Sequence, residues 1–165
     1  PDHMHFQAGP VGAIPLEKEV APGRLRRKLK EVDGVSILMP EGIGRTVVVL
    51  EGSAQEPIEA VIKLLIAGIQ HMASTADEPL VNLLVSFAGG QWRVVLFPRR
   101  KHRPDVYFKE DDERVLVSPA TIDIGGLVVA PVERDFNGVD GQTIQSIYNE
   151  VMLDQETVEE IVNSL

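Results

Sequence analysis

Two apolar, β-rich runs separated by a pair of glycines constrain this chain more than any other feature does. The runs flank Gly89 and Gly90 in the stretch LVNLLVSFAGGQWRVVLFPR. Glycine adopts positive φ without the steric cost of a Cβ atom, so two glycines between strands favour a tight hairpin. A hairpin joins antiparallel neighbours, and the stretch therefore predicts an antiparallel sheet.

Hydrophobic periodicity predicts further strands and three helices around this hairpin. The predicted strands lie in DHMHFQA, GVSILMPEG, GRTVVVLEGS, RVLVSPA and GGLVVAPV, and GPVGAIPLEKEVAPG is expected to be irregular or broken strand. The predicted helices are EPIEAVIKLLIAGIQHMAS, DGQTIQSIYNEVML and DQETVEEIVNSL, with Asp140 and Asp154 as N-caps of the last two. Strands and helices do not alternate regularly, so the predicted fold class is α+β, an antiparallel sheet with flanking helices.

Composition excludes several classes of function. A length of 165 residues fits one domain, and a net charge of −9 argues against a nucleic-acid partner. No apolar run has the length of a transmembrane helix, so no membrane partner is expected. The chain has no cysteine, which excludes disulfides, thiolate metal sites and a cysteine nucleophile. We expect a cytoplasmic protein without a cofactor, and dependence on a divalent metal stays open.

The positive charge is concentrated in two short islands. Nine of the sixteen Lys and Arg residues lie in RLRRKLK (residues 24–30) and RRKHR (residues 99–103). The first island is interpreted as a solvated surface segment. The second follows directly on a predicted hairpin strand, which could aim its side chains at an anionic ligand, although an exposed basic loop is the alternative. Its candidate phosphate ligands are Arg99, Arg100, Lys101 and Arg103.

Three nitrogen-bearing side chains alternate at the beginning of the chain. His3, His5 and Gln7 would lie on one face of a strand, about 6.6–6.8 Å apart. This spacing suits metal ligation, or a nucleophile with supporting neighbours. Polar residues on the wet face of a sheet, or the remnant of a purification tag, would give the same pattern.

The sequence around these residues resembles the histidine-triad superfamily, in the branch where glutamine replaces the third histidine. It is most similar to the GDP-hexose phosphorylases and their bacterial relatives. Galactose-1-phosphate uridylyltransferases and diadenosine-polyphosphate phosphorylases share the His-x-His-x-Gln arrangement. The stretches that carry the resemblance are DHMHFQAGPVGAIPLEKE and SPATIDIGGLVVAPVERDFNGVDGQTIQSIYNEVMLDQETVEEI.

The resemblance implies a nucleotidyltransferase that forms a covalent nucleotidyl-histidine. His5 would be the nucleophile, the main-chain carbonyl of His3 would fix its tautomer, and Gln7 would donate its amide N–H to a phosphate oxygen. The implied substrate is a nucleotide or nucleotide-sugar, with inorganic phosphate or a sugar phosphate as acceptor. A catalytically inactive nucleotide-sugar-binding module and an ATP or diadenosine-polyphosphate phosphorylase are the alternatives. A further alternative is an interaction protein whose terminus is tag-like or binds a metal.

Proteins of this branch carry about half of their fold upstream of the triad. Residues 1–22 are therefore interpreted as the triad-bearing strand and loop that complete an upstream half, and residues 23–165 as the C-terminal half. The missing N-terminal half or a partner chain would be needed for a complete site. We accordingly expect weak or no turnover from this chain alone.

Overall fold

Five strands form one antiparallel sheet in a computed structural model that describes residues 6–73 and 79–165. The order across the sheet is β1-β2-β3-β5-β4, so β1 and β4 are its edges. The predicted α+β class with an antiparallel sheet is confirmed. The strands are β1 (Arg26–Val32), β2 (Val35–Pro40), β3 (Val48–Gly52), β4 (Val81–Ala88) and β5 (Gln91–Pro98).

Helices cover both faces of the sheet. The described helices are α1 (Leu16–Glu19), α2 (Gln55–Ala73), α3 (Thr121–Ile124), α4 (Glu133–Gly138), α5 (Gly141–Val151) and α6 (Gln155–Ser164), with 3-10 turns at Asp105–Phe108 and Asp111–Glu113. Within the described ranges, no helix is both long and apolar enough to cross a bilayer.

The structure confirms the hairpin and the three long helices that local patterns predict. Ala88 pairs with Gln91, and Gly89 and Gly90 have φ of 59° and 75°. Positive φ at both central residues is what a two-residue hairpin turn requires. The N-caps of α5 and α6 are confirmed as well, because Asp140 and Asp154 accept hydrogen bonds from backbone N–H groups at 2.8 and 2.9 Å.

Apolar residues alternate along the central strands and form one buried cluster on each face of the sheet. On the first face, Leu50 and Leu96 pack with α2 and α6. On the second face, Val49 and Phe97 pack with α1, α3 and α5. Both faces of β3 and β5 are therefore covered, although these strands are antiparallel.

Two of the predicted strands are wrong. The stretches RVLVSPA and GGLVVAPV contain no strand, because residues 114–120 and 127–131 have no regular secondary structure. Three of their backbone N–H groups donate to buried carboxylates instead of to a neighbouring strand. Leu116 N donates to Asp135 at 2.7 Å, and Val129 N donates to Asp123 at 2.8 Å.

The beginning of the chain also departs from the prediction. Residues 2–5 of the predicted strand DHMHFQA lie outside the described residues, and its residues 6–8 form no strand. The stretch GPVGAIPLEKEVAPG contains the short helix α1. RLRRKLK, expected as a solvated segment, carries its charges on the edge strand β1.

Two neighbouring leucines of α2 test whether its buried face holds the first cluster together. Leu65 is 1% exposed and Leu64 is 47% exposed. Leu65→Ala should lower the free energy of unfolding by about 2–5 kcal/mol, because it removes buried contacts and leaves a cavity. The matched variant Leu64→Ala should change it by no more than about 0.5 kcal/mol. Urea denaturation measures both, and equal losses would contradict the packing of α2.

Candidate functional site

An open cleft of about 280 Å³ lies in the segment that follows β5. Its walls are mostly apolar, with two hydroxyl groups and one carboxylate group. The lining residues are Tyr107, Leu116, Ser118, Asp123, Val129 and Pro131. The buried carboxylate of Asp123 fixes this segment, since it accepts N–H bonds from Ala120 at 3.0 Å and from Val129 at 2.8 Å.

Arg103 lies at the edge of this cleft and is held by two of the lining residues. Its Nε donates to Ser118 Oγ at 3.2 Å, and its guanidinium carbon lies 4.4 Å from the centroid of the Tyr107 ring. Among the described residues, the two terminal nitrogens of this guanidinium make no hydrogen bond. The side chain is thus oriented while two donor groups stay available, as recognition of a phosphate requires.

Arg99 is a buried cation beside the same cleft, with 4% of its surface exposed. It donates to Asn82 Oδ1 at 3.0 Å and to the backbone carbonyl of His102, and its Nε has no partner in the described part of the chain. Burial lowers the pKa of Arg99, and the Asp123 carboxylate opposes this effect. A buried cation whose hydrogen-bond partners are neutral is stabilised when an anion approaches.

His102 lies between these two arginines in sequence. Partial burial, followed by the positive charges of Arg99 and Arg103, lowers the pKa of His102. The imidazole is therefore neutral at pH 7 and can accept a proton or a hydrogen bond.

The remaining basic residues of the loop contact the C-terminal end of α5. Arg100 donates to the backbone carbonyls of Asn149 and Glu150. Lys101 Nζ lies 2.8 Å from Asp105 Oδ1 and 2.7 Å from Glu150 Oε1. The four predicted phosphate ligands are thus separated: Arg99 and Arg103 lie at the cleft, whereas Arg100 and Lys101 attach the loop to α5.

Of the three residues predicted near the beginning of the chain, the structure describes Gln7. It is exposed and belongs to no strand or helix. His3 and His5 lie outside the described residues, so their predicted roles stay predictions. The chain that follows Gln7 is anchored beside the cleft, because Leu16 N donates to the carbonyl of Gly125 in the turn that ends α3.

No group of three or more His, Asp or Glu side chains is arranged as a metal site in residues 6–73 and 79–165.

The sequence analysis did not identify the cleft residues Tyr107, Ser118 and Asp123. One signal was available for Asp123, because a single acidic residue stands between two isoleucines in the stretch TIDIGG. A lone carboxylate in an apolar context indicates a buried acceptor that must be satisfied by backbone donors.

These observations define an antiparallel α+β domain with a cleft that carries an oriented, partly unpaired cation. Residues 46–165 match the family described as GDPGP1-like, C-terminal domain. The matched residues are well over half of the chain, which therefore belongs to this family. Searches of the curated proteins and of the solved structures found no significant match. The resemblance to the GDP-hexose phosphorylases is confirmed at the level of the family, by a match over residues 46–165 that does not include His3, His5 and Gln7.

Asp135 supports one wall of the cleft, and its stability contribution should depend on pH. The Leu116 N–H and the Arg134 guanidinium hold its pKa below the ordinary value, against the opposing effect of burial. A carboxyl whose pKa is lowered by folding stabilises the fold above its unfolded pKa, about 3.9, and this stabilisation is lost as pH falls through the folded pKa.

We therefore expect Asp135→Asn to destabilise the protein at pH 7 by about 1–3 kcal/mol. The difference in the free energy of unfolding between this variant and the unsubstituted chain should shrink as the pH falls. Urea denaturation at a series of pH values, from pH 7 down to the lowest pH at which the chain folds, measures this difference. Asp112→Asn is the control, because Asp112 also contacts Arg134 but is fully exposed. Equal effects of the two variants would contradict the assigned support of the cleft wall.

Proposed function

We propose that this chain belongs to a nucleotidyltransferase of the phosphorylase type that cleaves a GDP-hexose and transfers the nucleotidyl group to phosphate. The observation that carries the proposal is the family match, because it spans the residues that build the cleft and the basic loop. The sequence pattern His-x-His-x-Gln at residues 3–7 supplies the proposed nucleophile.

In the proposed reaction a nitrogen of His5 attacks the α-phosphorus of the GDP-hexose. The bond from this phosphorus to the bridging oxygen breaks, and hexose 1-phosphate leaves with the bridging oxygen. The guanylyl group is then attached to His5 by a P–N bond. Inorganic phosphate attacks the same phosphorus, the P–N bond breaks, and GDP leaves. The imidazole is neutral at both ends of the cycle, which suits a histidine at pH 7.

The cleft would bind the anionic and polar parts of the substrate. The two terminal nitrogens of Arg103, which make no hydrogen bond within the described residues, would donate to phosphate oxygens, and the buried charge of Arg99 adds attraction for an anion. The carboxylate of Asp123 can accept hydrogen bonds from hydroxyl or N–H groups of the nucleotide sugar. Gln7 would donate to a non-bridging oxygen of the reacting phosphate.

A complete site in this proposal needs more than the described residues. Residues 1–22 would supply the nucleophile and complete an N-terminal half, and residues 23–165 would supply the cleft. The matched family is a C-terminal domain, which is consistent with this division.

Intact-mass spectrometry tests the covalent step directly. The longest form of the protein that contains residues 1–165 is mixed with a GDP-hexose, and separately with ATP and a UDP-hexose, without phosphate. We expect an acid-labile increase of one guanylyl group that disappears in His5→Ala. His71→Ala is the matched control, because His71 is an exposed histidine at the end of α2. The same adduct in His5→Ala, or none with any substrate, would refute the mechanism, and an adenylyl adduct would favour the ATP phosphorylase.

A second measurement tests the assignment of Arg103. Arg103→Gln should weaken binding of the GDP-hexose about 10–100-fold in calorimetric titration, because charge-assisted hydrogen bonds contribute about 1.5–3 kcal/mol. Arg103→Lys should bind more weakly than Arg103, since lysine lacks the planar fork.

Lys109→Gln is the control for this pair, because Lys109 pairs with Glu113 on the surface. Unchanged binding in Arg103→Gln, with the fold retained by circular dichroism, would exclude Arg103 from the phosphate site. Binding that persists in a protein without covalent adduct would instead favour the inactive nucleotide-sugar-binding module.

A further inference from the structure

Three arginines of this acidic chain have two terminal guanidinium nitrogens that make no hydrogen bond in residues 6–73 and 79–165. Five of the ten arginines form ion pairs with carboxylates. Arg99 and Arg100 use terminal nitrogens in hydrogen bonds to neutral oxygens. The other three, Arg24, Arg103 and Arg114, donate through Nε alone. Within the described ranges, these are the arginines whose planar ends can still bind an anion.

Two of these three side chains contact the same aromatic ring. The guanidinium carbons of Arg103 and Arg114 lie 4.4 and 5.5 Å from the centroid of the Tyr107 ring. Arg114 Nε also donates to the backbone carbonyl of Tyr107 at 3.1 Å, just as Arg103 Nε donates to Ser118 Oγ. A cation–π contact and one hydrogen bond therefore orient each guanidinium group, and Tyr107 itself lines the cleft.

The backbone that carries Arg114 is fixed as well. The N–H of Val115 donates to the carbonyl of Val106 at 3.2 Å, which joins this stretch to the 3-10 turn that contains Tyr107. In addition, the carbonyl of Arg114 accepts a hydrogen bond from the Arg134 guanidinium. The side chain of Arg114 is exposed, but its backbone is attached to the segment that forms the cleft.

The acidic residues that precede Arg114 do not neutralise its charge. Glu113 pairs with Lys109 at 3.0 Å, and Arg114 forms no ion pair with any residue that the structure describes. The Leu116 N–H, and to a smaller extent the charge of Arg114, lowers the pKa of Asp135, so this carboxylate offsets a small part of the charge. Most of the positive charge of Arg114 is therefore left for an anionic ligand.

We propose that Arg103 and Arg114 form an arginine clamp that binds the two phosphate groups of a nucleoside diphosphate, one phosphate to each guanidinium. The role of the clamp rests on the proposed function, in which the substrate carries such a diphosphate. A guanidinium fork pairs with two oxygens of one phosphate, and a nucleotide sugar has two non-bridging oxygens on each of its phosphates. Both guanidinium carbons lie near one ring centre, so a diphosphate can contact both through bonds of about 2.7–2.9 Å.

The two arginines would bind different phosphates. The mostly apolar cleft suits the nucleoside, and Arg103 is bonded to Ser118 of its lining, so Arg103 is assigned to the α-phosphate. The exposed Arg114 is then assigned to the β-phosphate. The β-phosphate gains negative charge when hexose 1-phosphate leaves, and a positioned guanidinium stabilises that charge. Arg114 would therefore select a diphosphate over a monophosphate and assist the departure of the hexose phosphate.

Calorimetric titration with GDP and with GMP tests the arginine clamp, on the longest form of the protein that contains residues 1–165. Arg114→Gln should weaken the binding of GDP by about 10–100-fold and that of GMP by less than about threefold, because GMP has no β-phosphate. Arg24→Gln is the matched control and should leave both affinities unchanged. Arg24 also donates through Nε to a backbone carbonyl, at 3.2 Å, but it precedes the edge strand β1.

Three results would overturn the clamp. They are unchanged binding of GDP in Arg114→Gln, equal weakening of GDP and GMP in that variant, and the same loss of GDP affinity in Arg24→Gln.

Two further comparisons test the planar fork and the ring separately. Arg114→Lys keeps the charge without the fork and should bind GDP more weakly than the unsubstituted protein. Tyr107→Leu should bind GDP about 3–30-fold more weakly than Tyr107→Phe, because phenylalanine retains a ring for both guanidinium groups. Full GDP affinity in Arg114→Lys, or equal affinities of the two Tyr107 variants with the fold retained by circular dichroism, would contradict the assigned geometry.

The failure of the clamp can be told apart from the failure of the proposed function. Binding of GDP involves no covalent step, so these titrations do not depend on the nucleotidyl adduct at His5. An adduct that forms while Arg114→Gln keeps the ratio of GDP to GMP affinity unchanged would refute the clamp alone. A selective loss of GDP affinity in Arg114→Gln, without any adduct, would support the clamp and refute the phosphorolysis.

Discussion

The central strands of the sheet are apolar on both faces, and most of the remaining structure follows from that. In β5, Val94 and Leu96 face one cluster while Val95 and Phe97 face the other. These side chains stabilise the folded state only when both faces of the sheet are shielded from water. The first face is covered by two regular helices. The second is covered by α5 and by a long segment with little regular structure, and this segment forms the cleft.

A cover without regular structure has to satisfy its backbone polar groups in another way. Buried N–H groups that lack a partner cost about 1–3 kcal/mol each. Asp123 and Asp135 supply the missing acceptors, because each accepts backbone N–H bonds while its residue is less than 10% exposed. The carboxylates hold the irregular segment open around the cleft, where a strand or helix would have closed over the sheet. The candidate site is therefore a consequence of how the second face is covered.

This also explains which parts of the structure could be predicted from the sequence. The hairpin at Gly89 and Gly90, the stripe of α2 and the caps at Asp140 and Asp154 depend on neighbours a few residues apart, and they are visible as local patterns. The strand-like stretches at residues 114–120 and 127–131 have the right composition but pair with no strand. Their partners are carboxylates up to 19 residues away, and no local pattern reports such a contact. Strand β1 was missed because an edge strand needs few buried residues, and its charges are typical of a surface loop.

The arrangement of the basic loop shows how one short run of cations can serve two purposes. Backbone N–H groups of Arg100 and Lys101 donate to the carbonyl of Val151, and their side chains contact the same end of α5. These contacts fix the loop from the helix side. Arg99 and Arg103 are then held from the cleft side by the neutral acceptors Asn82 and Ser118, which orient the guanidinium groups without neutralising them. Among the described residues neither guanidinium forms an ion pair with a carboxylate, although the Asp123 carboxylate offsets part of the charge of Arg99. Arg103 therefore keeps most of its charge for an anionic ligand, which supports this loop as a candidate binding site.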